Sequence, residues 1–359
     1  MTKIAMMTAW NTDSGVAIHA EPVGKAWIRM GHELRIFTFL ENDFHGEEIT
    51  AEDEPFVTRC FGLSSGTNFL DPRPILSADY DFFVVQDLGM LPKNKLGKIF
   101  PLIKRKAKTI HVVHDNMPSA DPAFYQHDWD AVVYFDLRQE GFLKRIYGER
   151  AHYIPFPCFP RRRGDQAEAR RKLNLPLDRK IVVVFCRRSY QPYLPQLPDP
   201  DPSMNSGHRP SMNSGHRLED VLFLVLTNRE MEANWPQTEV RRKAFFPHSL
   251  FDEYLFAADA LILHKMSTAP QEIGILSSTA YQCLGAGCPI LAPRLSDFVW
   301  PFEREVLKYA DREELKALLL DVFAEGERYR ESRAAAEEFV EQNSAENIAG
   351  QFIELFHSL

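Results

Sequence analysis

At 359 residues and 45% hydrophobic, the chain is long enough for two domains, each with its own core. A formal net charge of −8 sets aside nucleic-acid binding as a main role, and no apolar run reaches the roughly 18 residues of a membrane span. The opening MTKIAMMTAW lacks the pattern of a secretion signal. The five cysteines (Cys60, Cys158, Cys186, Cys283, Cys288), an odd number without metal-ligand spacing, read as reduced, buried thiols of a cytoplasmic protein.

In chain order, Lys3–Ala9 reads as a buried strand running into the polar turn Asn11-Thr-Asp-Ser-Gly15. A helix from Val16 to Met30 follows and ends at Gly31, and a second strand spans Glu33–Phe39. This βαβ unit puts Gly15 at the carboxyl end of its first strand, where open α/β sheets bind ligands, but without the GxGxxG dinucleotide fingerprint. Further strands are expected at Asp81–Gln86, Thr109–Val113, Ala131–Phe135 and His152–Pro155, separated by helices over Lys93–Lys106 and Leu137–Tyr147. Alternation of this kind implies a mostly parallel sheet covered on both faces. His114 and Asp115 leave the Thr109–Val113 strand at its carboxyl edge, where an imidazole can bond a substrate hydroxyl and a carboxylate can orient it. His19, on the first helix, can line the same edge, although a lone helical histidine is more often structural. The basic, aromatic run Phe142–Arg150 and the Lys104–Lys106 cluster read first as solvated helix faces. Peripheral contact with an anionic membrane is the second reading.

Ile154–Gly164, IPFPCFPRRRG, can continue neither helix nor sheet and reads as an interdomain linker. After a helix at Gln166–Leu173, a fresh α/β series has strands at Ile181–Cys186, Val221–Thr227, Ala260–His264 and Val306–Tyr309. Helices over Arg312–Phe323, Glu327–Gln342 and, behind a Ser344 cap, Glu346–Leu359 close it. Arg187 and Arg188 emerge at the carboxyl end of its first strand, where guanidinium forks suit a pyrophosphate; His264 and Lys265 hold the equivalent edge of a later strand. Between these lies Ser189–Arg217, a proline-rich surface loop with PSMNSGHR twice in succession, at Pro202–Arg209 and Pro210–Arg217. Two copies make no repeat architecture.

The organising stretch is Glu272–Ala292, EIGILSSTAYQCLGAGCPILA, read as turn, helix, tight turn and buried strand. Ser278 or Thr279 can cap the helix, and Gly287 can end it in a left-handed turn. Free N–H groups at the helix start form an anion site, and Gly274, Ser277 and Ser278 are small enough for a phosphate to approach. Gln282 lies about one turn into the helix, on or near the face of Ser278, and can bond a sugar hydroxyl.

The order of these pieces resembles the GT-B glycosyltransferases, in particular the retaining family four. The Gly15 turn with RMGHELRI is similar to that family's "RxGHEVxV" segment, and His114-Asp115 to its "HD". SLFDEYLFAADALIL (Ser249–Leu263) is similar to "eeLxxlYxxADvxv", and the organising stretch to "EGFGxxxLEAMAxGxPVVA". The resemblance implies an α/β protein of two Rossmann-like, doubly wound parallel-sheet domains facing across a cleft. Residues 1–160 form the acceptor side, residues 161–342 bind a nucleotide sugar, and the helix over 343–359 crosses back. It implies that the backbone at Ser277–Thr279 holds the donor phosphates with Arg188 and Gly274 near them, and that Arg187 offsets the leaving pyrophosphate. Gln282 stands at the place of a ribose-gripping glutamate, and His114 contacts the donor sugar or acceptor. Glu272 lies two residues before the place of the first family glutamate, which Gly274 occupies. Lys265 substitutes for a lysine that has no clear counterpart.

The expected activity is retaining hexosyl transfer from a nucleotide diphosphate sugar to a sugar or small hydroxyl acceptor, with no metal and no cofactor beyond the donor. The catalytic set is His114, Asp115, Arg187 and Glu272. The alternatives are a degenerate nucleotide-sugar-binding scaffold, which the altered carboxylate pair favours, and an epimerase or phosphorylase on the same fold.

Overall fold

The computed structural model describes residues 1–41, 43, 49–62, 68–114, 127–186, 221–228, 230, 237–242, 245, 248–265 and 276–359. Strand β1 (Lys3–Met7) is buried at every residue but its first. Ser14 then caps α1 (Gly15–Arg29), its Oγ accepting from the Ala17 N–H at 3.1 Å. There follow β2 (Glu33–Phe39), β3 (Val57–Gly62), β4 (Phe69–Leu70), α2 (Arg73–Ser77), β5 (Phe82–Gln86), α3 (Lys93–Lys104), β6 (Lys108–Val113), β7 (Ala131–Tyr134), α4 (Glu140–Tyr147) and β8 (Ala151–Tyr153). The second series is α5 (Gln166–Lys172), β9 (Lys180–Phe185), β10 (Val221–Thr227), β11 (Thr238–Arg242), α6 (His248–Ala257), β12 (Ala260–Ile262), α7 (Ser278–Leu284), β13 (Ile290–Pro293) and β14 (Leu307–Tyr309). Three helices finish it: α8 (Arg312–Phe323), α9 (Glu327–Gln342) and α10 (Ala345–Ser358).

The strands form two sheets. The first has eight strands in the order β4-β3-β2-β1-β5-β6-β7-β8, parallel except for the β3–β4 pair. The second has six, all parallel, in the order β11-β10-β9-β12-β13-β14. Central strands such as β10 (VLFLVLT) are buried at every residue, because a parallel sheet with helices on both faces has no wet side. The chain divides into two compact units. Among the described residues the first holds Met1–Cys158, 276–278 and Gln342–Leu359, and the second holds 159–265 and Thr279–Glu341.

In the first unit α10 lies along α1: Ile348, Ala349, Phe352 and Phe356 are buried, and Trp27 Nε1–H donates to the Ala349 carbonyl at 3.2 Å. In the second, α8 seats Leu315, Leu318, Leu319 and Val322 against Val182, Val184, Ile262 and Leu291 of the sheet. All five cysteines are buried and unbridged. Among the described residues no helix is long and apolar enough to cross a membrane.

Element ends fall within three residues of the sequence reading, with β2, β10, α8 and α9 unmoved, and five elements escaped it: β3, β4, α2, β11 and α6. The edge strand β11, TEVRR, is half-exposed and charged, with Arg241 paired to Glu239 at 2.6 Å, so no apolar run marks it. α7 takes up Ser278 as its first residue, which leaves the capping place to Ser277. Three cations of the basic cluster near α3 and α4 are held by carboxylates: Lys104 pairs with Asp128 at 2.8 Å, Arg150 with Asp128 at 2.7 Å and Lys144 with Glu140 at 2.7 Å.

Candidate functional site

In the first unit the predicted residues Gly15 and His114 stand beyond the carboxyl ends of β1 and β6. After β1 the backbone turns through Asn11, held at φ +52° by hydrogen bonds on both its ends. Its N–H donates to Glu21 Oε1 at 2.9 Å, and its amide donates to the Glu52 carbonyl, Asp53 and Glu54 at 3.1–3.2 Å. Desolvation lifts the Glu21 carboxyl to about 7, against the opposing pull of Lys25. Gly15 follows, and a Cβ there would stand 3.3 Å from Ser278 Oγ, so the predicted turn and the start of α7 are neighbours within this unit.

His114 stands one residue past β6 and is 9% exposed, with Nε2 2.7 Å from Gln86 Oε1. The rings of His19 and Phe135 meet it edge-on, with centroids at 5.1 and 5.0 Å. Burial, with His19 and His111 close by, holds His114 well below the ordinary histidine range, so it acts as a neutral imidazole. Burial alone takes His19 down to about 3, and among the described residues neither of its ring nitrogens has a hydrogen-bond partner. Asp115, the other half of the predicted pair, lies outside the described residues, as do Arg187, Arg188, Glu272, Gly274 and the duplicated segment.

Of the predicted donor residues, the second unit holds Thr279 and Gln282 on α7 and Lys265 three residues past β12. Thr279 is half-buried, as are Ser277 and Ser278 just before it in the first unit. Gln282 is 6% exposed, and its amide Nε2–H donates to His248 Nδ1 at 3.0 Å. His248, at the head of α6, escaped the sequence reading because nothing in its spacing ties it to Gln282. His264 Nδ1 meets the Tyr309 hydroxyl at 2.6 Å, and burial lowers it to about 4. Lys265 is exposed and folds its ammonium over the Phe298 ring, 3.8 Å from the centroid.

The linker straps the far end of α7. Phe159 N–H donates to the Tyr281 carbonyl at 3.2 Å, Arg162 N–H to the Gly285 carbonyl at 2.7 Å, and Arg162 Nη2 to the Gln282 carbonyl at 2.7 Å. A Cβ at Gly285 would fall 2.3 Å from the Pro160 carbonyl oxygen and 2.4 Å from that of Phe159. Both are backbone atoms that cannot rotate away. Gly285→Ala is therefore expected to destabilise the second unit by about 1–3 kcal/mol through backbone displacement. Gly287→Ala, with open space around it, is expected to cost less, about 1 kcal/mol from its φ of +74° alone. Urea denaturation of the two variants checks the order.

A cavity of about 560 Å³ opens at the amino ends of β9 and β12, lined by Arg161, Arg163, Lys180, Asp259, Arg333 and Glu337 among others. None of the predicted site residues lines it. Its charges are largely matched internally, Arg161 to Glu337 at 2.8 Å and Lys180 to Asp259 at 3.0 Å. Among the described residues no group of three or more His, Cys, Asp or Glu side chains is arranged to hold a metal ion.

No protein-family profile matches the chain. Solved structures do. A sucrose-phosphate synthase from Thermosynechococcus elongatus matches with a TM-score of 0.63 at 16% identity, covering 100% of this chain and 99% of that one. HepE from Anabaena, solved in complex with UDP-glucose, matches with a TM-score of 0.64 at 13% identity over 100% of both chains. A glycosyltransferase from Rickettsia africae matches with a TM-score of 0.62 at 12% identity, covering 99% and 98%. Identities this low speak to architecture, and the architecture shared end to end is that of the GT-B glycosyltransferases: this chain has the GT-B fold.

Proposed function

We propose that the chain is a glycosyltransferase that moves a sugar from a nucleotide diphosphate sugar to a hydroxyl acceptor, with retention and without a metal. The observation that carries this reading is the likeness over the whole chain to solved structures that include a glycosyltransferase, HepE holding UDP-glucose and an alpha-glucosyltransferase holding UDP. As the anomeric C–O bond breaks, positive charge grows on the sugar ring and negative charge on the departing pyrophosphate. Fixed dipoles aimed at that anion are the largest electrostatic aid a protein can offer. In this reading the N–H groups at Ser277–Thr279 and the Arg187 guanidinium supply them, with Arg188 and Lys265 adding charge and Gly15 and Gly274 giving room. In the same reading Asp115 orients His114, and Glu272 completes the catalytic set. Gln282 donates one amide N–H to His248, and its carbonyl oxygen is the atom that accepts from a ribose hydroxyl in this reading. His114, neutral and at a sheet edge, bonds a sugar hydroxyl without adding a cation to an already cationic ring.

The test is a thermal-shift screen with UDP-, GDP- and ADP-glucose, followed by transfer assays on the donor that binds. At a hundredfold excess over Kd the cognate donor is expected to add about 2.7 kcal/mol, or roughly 5–10 °C. Arg187→Ala is expected to lose most turnover with its melting point unchanged. A flat screen sinks the proposal. Binding without turnover across an acceptor panel means the scaffold reading, which Gln282 in place of a carboxylate favours. Turnover with no acceptor, or with inorganic phosphate alone, means an epimerase or a phosphorylase.

A further inference from the structure

Nothing in the sequence singles out Gln86, yet the sheet register puts it under His114. β5 and β6 pair in parallel with Gln86 opposite Val112. Side chains alternate along a strand, so His114, two residues beyond Val112, projects from the face that carries Gln86. Gln86 is fully buried at the last place of β5, and its Oε1 lies 2.7 Å from His114 Nε2. Its amide nitrogen faces Met6 Sδ at 3.8 Å, a weak acceptor. A carbonyl oxygen can be satisfied only by a donor, so the ring nitrogen it meets must carry the proton. In a neutral imidazole that leaves Nδ1 as a lone pair, and among the described residues no group is bonded to it. Among the described residues the other neighbours of the ring do not set its tautomer. His19 presents a ring at 84° with both nitrogens unpartnered, Phe135 is apolar, and His111 Nε2 is 3.4 Å from the Leu88 N–H, accepting from it.

We propose that Gln86 is a positioning residue of the transfer reaction. It accepts the Nε2–H of His114, fixes the ring in that tautomer, and presents Nδ1 as a hydrogen-bond acceptor to a hydroxyl of the sugar in the site. The inference rests on the glycosyltransferase reading for its substrate, and on the hydrogen bond alone for its geometry. A donor-only neighbour at 86 would reverse the ring and turn the same edge from acceptor to donor. The identity of one buried amide thus selects which hydroxyl orientation the site accepts.

The experiment is ¹⁵N-histidine NMR of the full chain, with the His114 signals assigned by their loss in His114→Gln, run beside transfer kinetics. The wild-type chain is expected to show the Nε2–H tautomer at His114. Gln86→Met, of similar shape but without the acceptor, is expected to show mixed tautomers and a kcat lower by about tenfold, with the donor KM held within about twofold. Gln86→Glu, which keeps an acceptor oxygen, is expected to restore the Nε2–H signature and part of kcat. A merely structural role would lower the melting point of both variants alike and leave the tautomer untouched. An Nδ1–H tautomer in the wild type, or Gln86→Met with tautomer and kcat both unchanged, overturns the proposal. If the wild-type chain transfers no sugar from any donor, the glycosyltransferase reading fails on its own, while the wild-type tautomer still decides whether Gln86 sets the ring.

Discussion

Acidifying the protein from pH 6.5 to 3 is expected to unfold the first unit. His19 and His111 are buried and neutral, held at about 3 against an ordinary 6.5, chiefly by desolvation. Above pH 6.5 neither carries a proton in either state, so they leave stability unchanged. Below it the unfolded chain takes up two protons that the folded chain refuses, and stability falls until pH 3. Glu21 works the other way. Its carboxyl is raised to about 7 from 4.5, so its contribution is full below pH 4.5 and is lost as pH rises through 7. Between 6.5 and 4.5 it cancels one of the two histidines, and below 4.5 both act unopposed. At 1.36 kcal/mol per unit and per proton the balance is a loss of about 7 kcal/mol, roughly 3 above pH 4.5 and roughly 4 below it. Glu21 keeps a side-chain exposure of 19%, which weakens its offset, and His114 is shifted in the same direction as the other two histidines; both deepen the loss. A domain stability of about 5–15 kcal/mol does not absorb that comfortably. Tryptophan fluorescence during acid titration, with Trp10, Trp27 and Trp129 all buried in this unit, reads the transition. His19→Phe is expected to remove one proton from the slope. A melting point that stays level from pH 7 to 4 would contradict the account.

The elements a reader of the sequence could place were those whose burial leaves a pattern. β1, β5, β9 and β10 lie inside parallel sheets and are apolar on both faces, so an unbroken apolar run marks each of them, whereas β2 (ELRIFTF) and β6 (KTIHVV) are interrupted by polar residues. Caps were as plain: Ser344 Oγ accepts from the Asn347 N–H, and Gly287 takes the left-handed φ its place requires. β3 and β11 were not legible, because an edge or near-edge strand mixes Thr, Arg and Glu with its apolar residues and loses the period.

Of the site, sequence position was enough to put His114 at a strand edge and Ser277–Thr279 at a helix start, since both follow from the order of the elements. The partners of these residues were not legible. Gln86 and His114 are 28 residues apart, and Gln282 and His248 are 34 apart. Each pair is made by neighbouring elements whose register no single sequence displays. The same holds for Asn11 and the carboxylates of Glu52–Glu54. Polar side chains that meet across a fold carry no periodicity, and a carboxamide in a buried strand looks like any other tolerated polar residue until its partner is seen.

Trp27→Ala is expected to destabilise the first unit by about 3–5 kcal/mol and to release α10 from it. The indole is fully buried on α1, with the Phe352 and Phe356 rings 5.7 and 5.6 Å away, and its Nε1–H reaches the Ala349 carbonyl at 3.2 Å. Fourteen residues of isolated helix are marginal in water, so α10 exists because this face is covered. An ion pair across the same surface, Arg29 to Glu346 at 2.6 Å, joins two side chains more than half exposed and is expected to add little, about 0–1 kcal/mol. Of the other ring contacts to α10, Phe82 stacked on Phe356 at 4.5 Å grips only the last turn, and His19 meets Phe352 edge-on at 6.3 Å. Trp27→Phe separates the two parts of the loss. It keeps an aromatic ring against Phe352 but gives up the hydrogen bond and part of the volume, for an expected loss of about 1–2 kcal/mol. Urea denaturation gives the totals, and hydrogen exchange at the α10 amides says where they act. In Trp27→Ala those amides should exchange faster than the amides of β1 and β5, which the strand ladder still protects. A Trp27→Ala chain within 1 kcal/mol of wild type, or one whose α10 protection is unchanged, would mean that the helix is held by something other than this packing. Arg29→Ala would then be the variant to lose it.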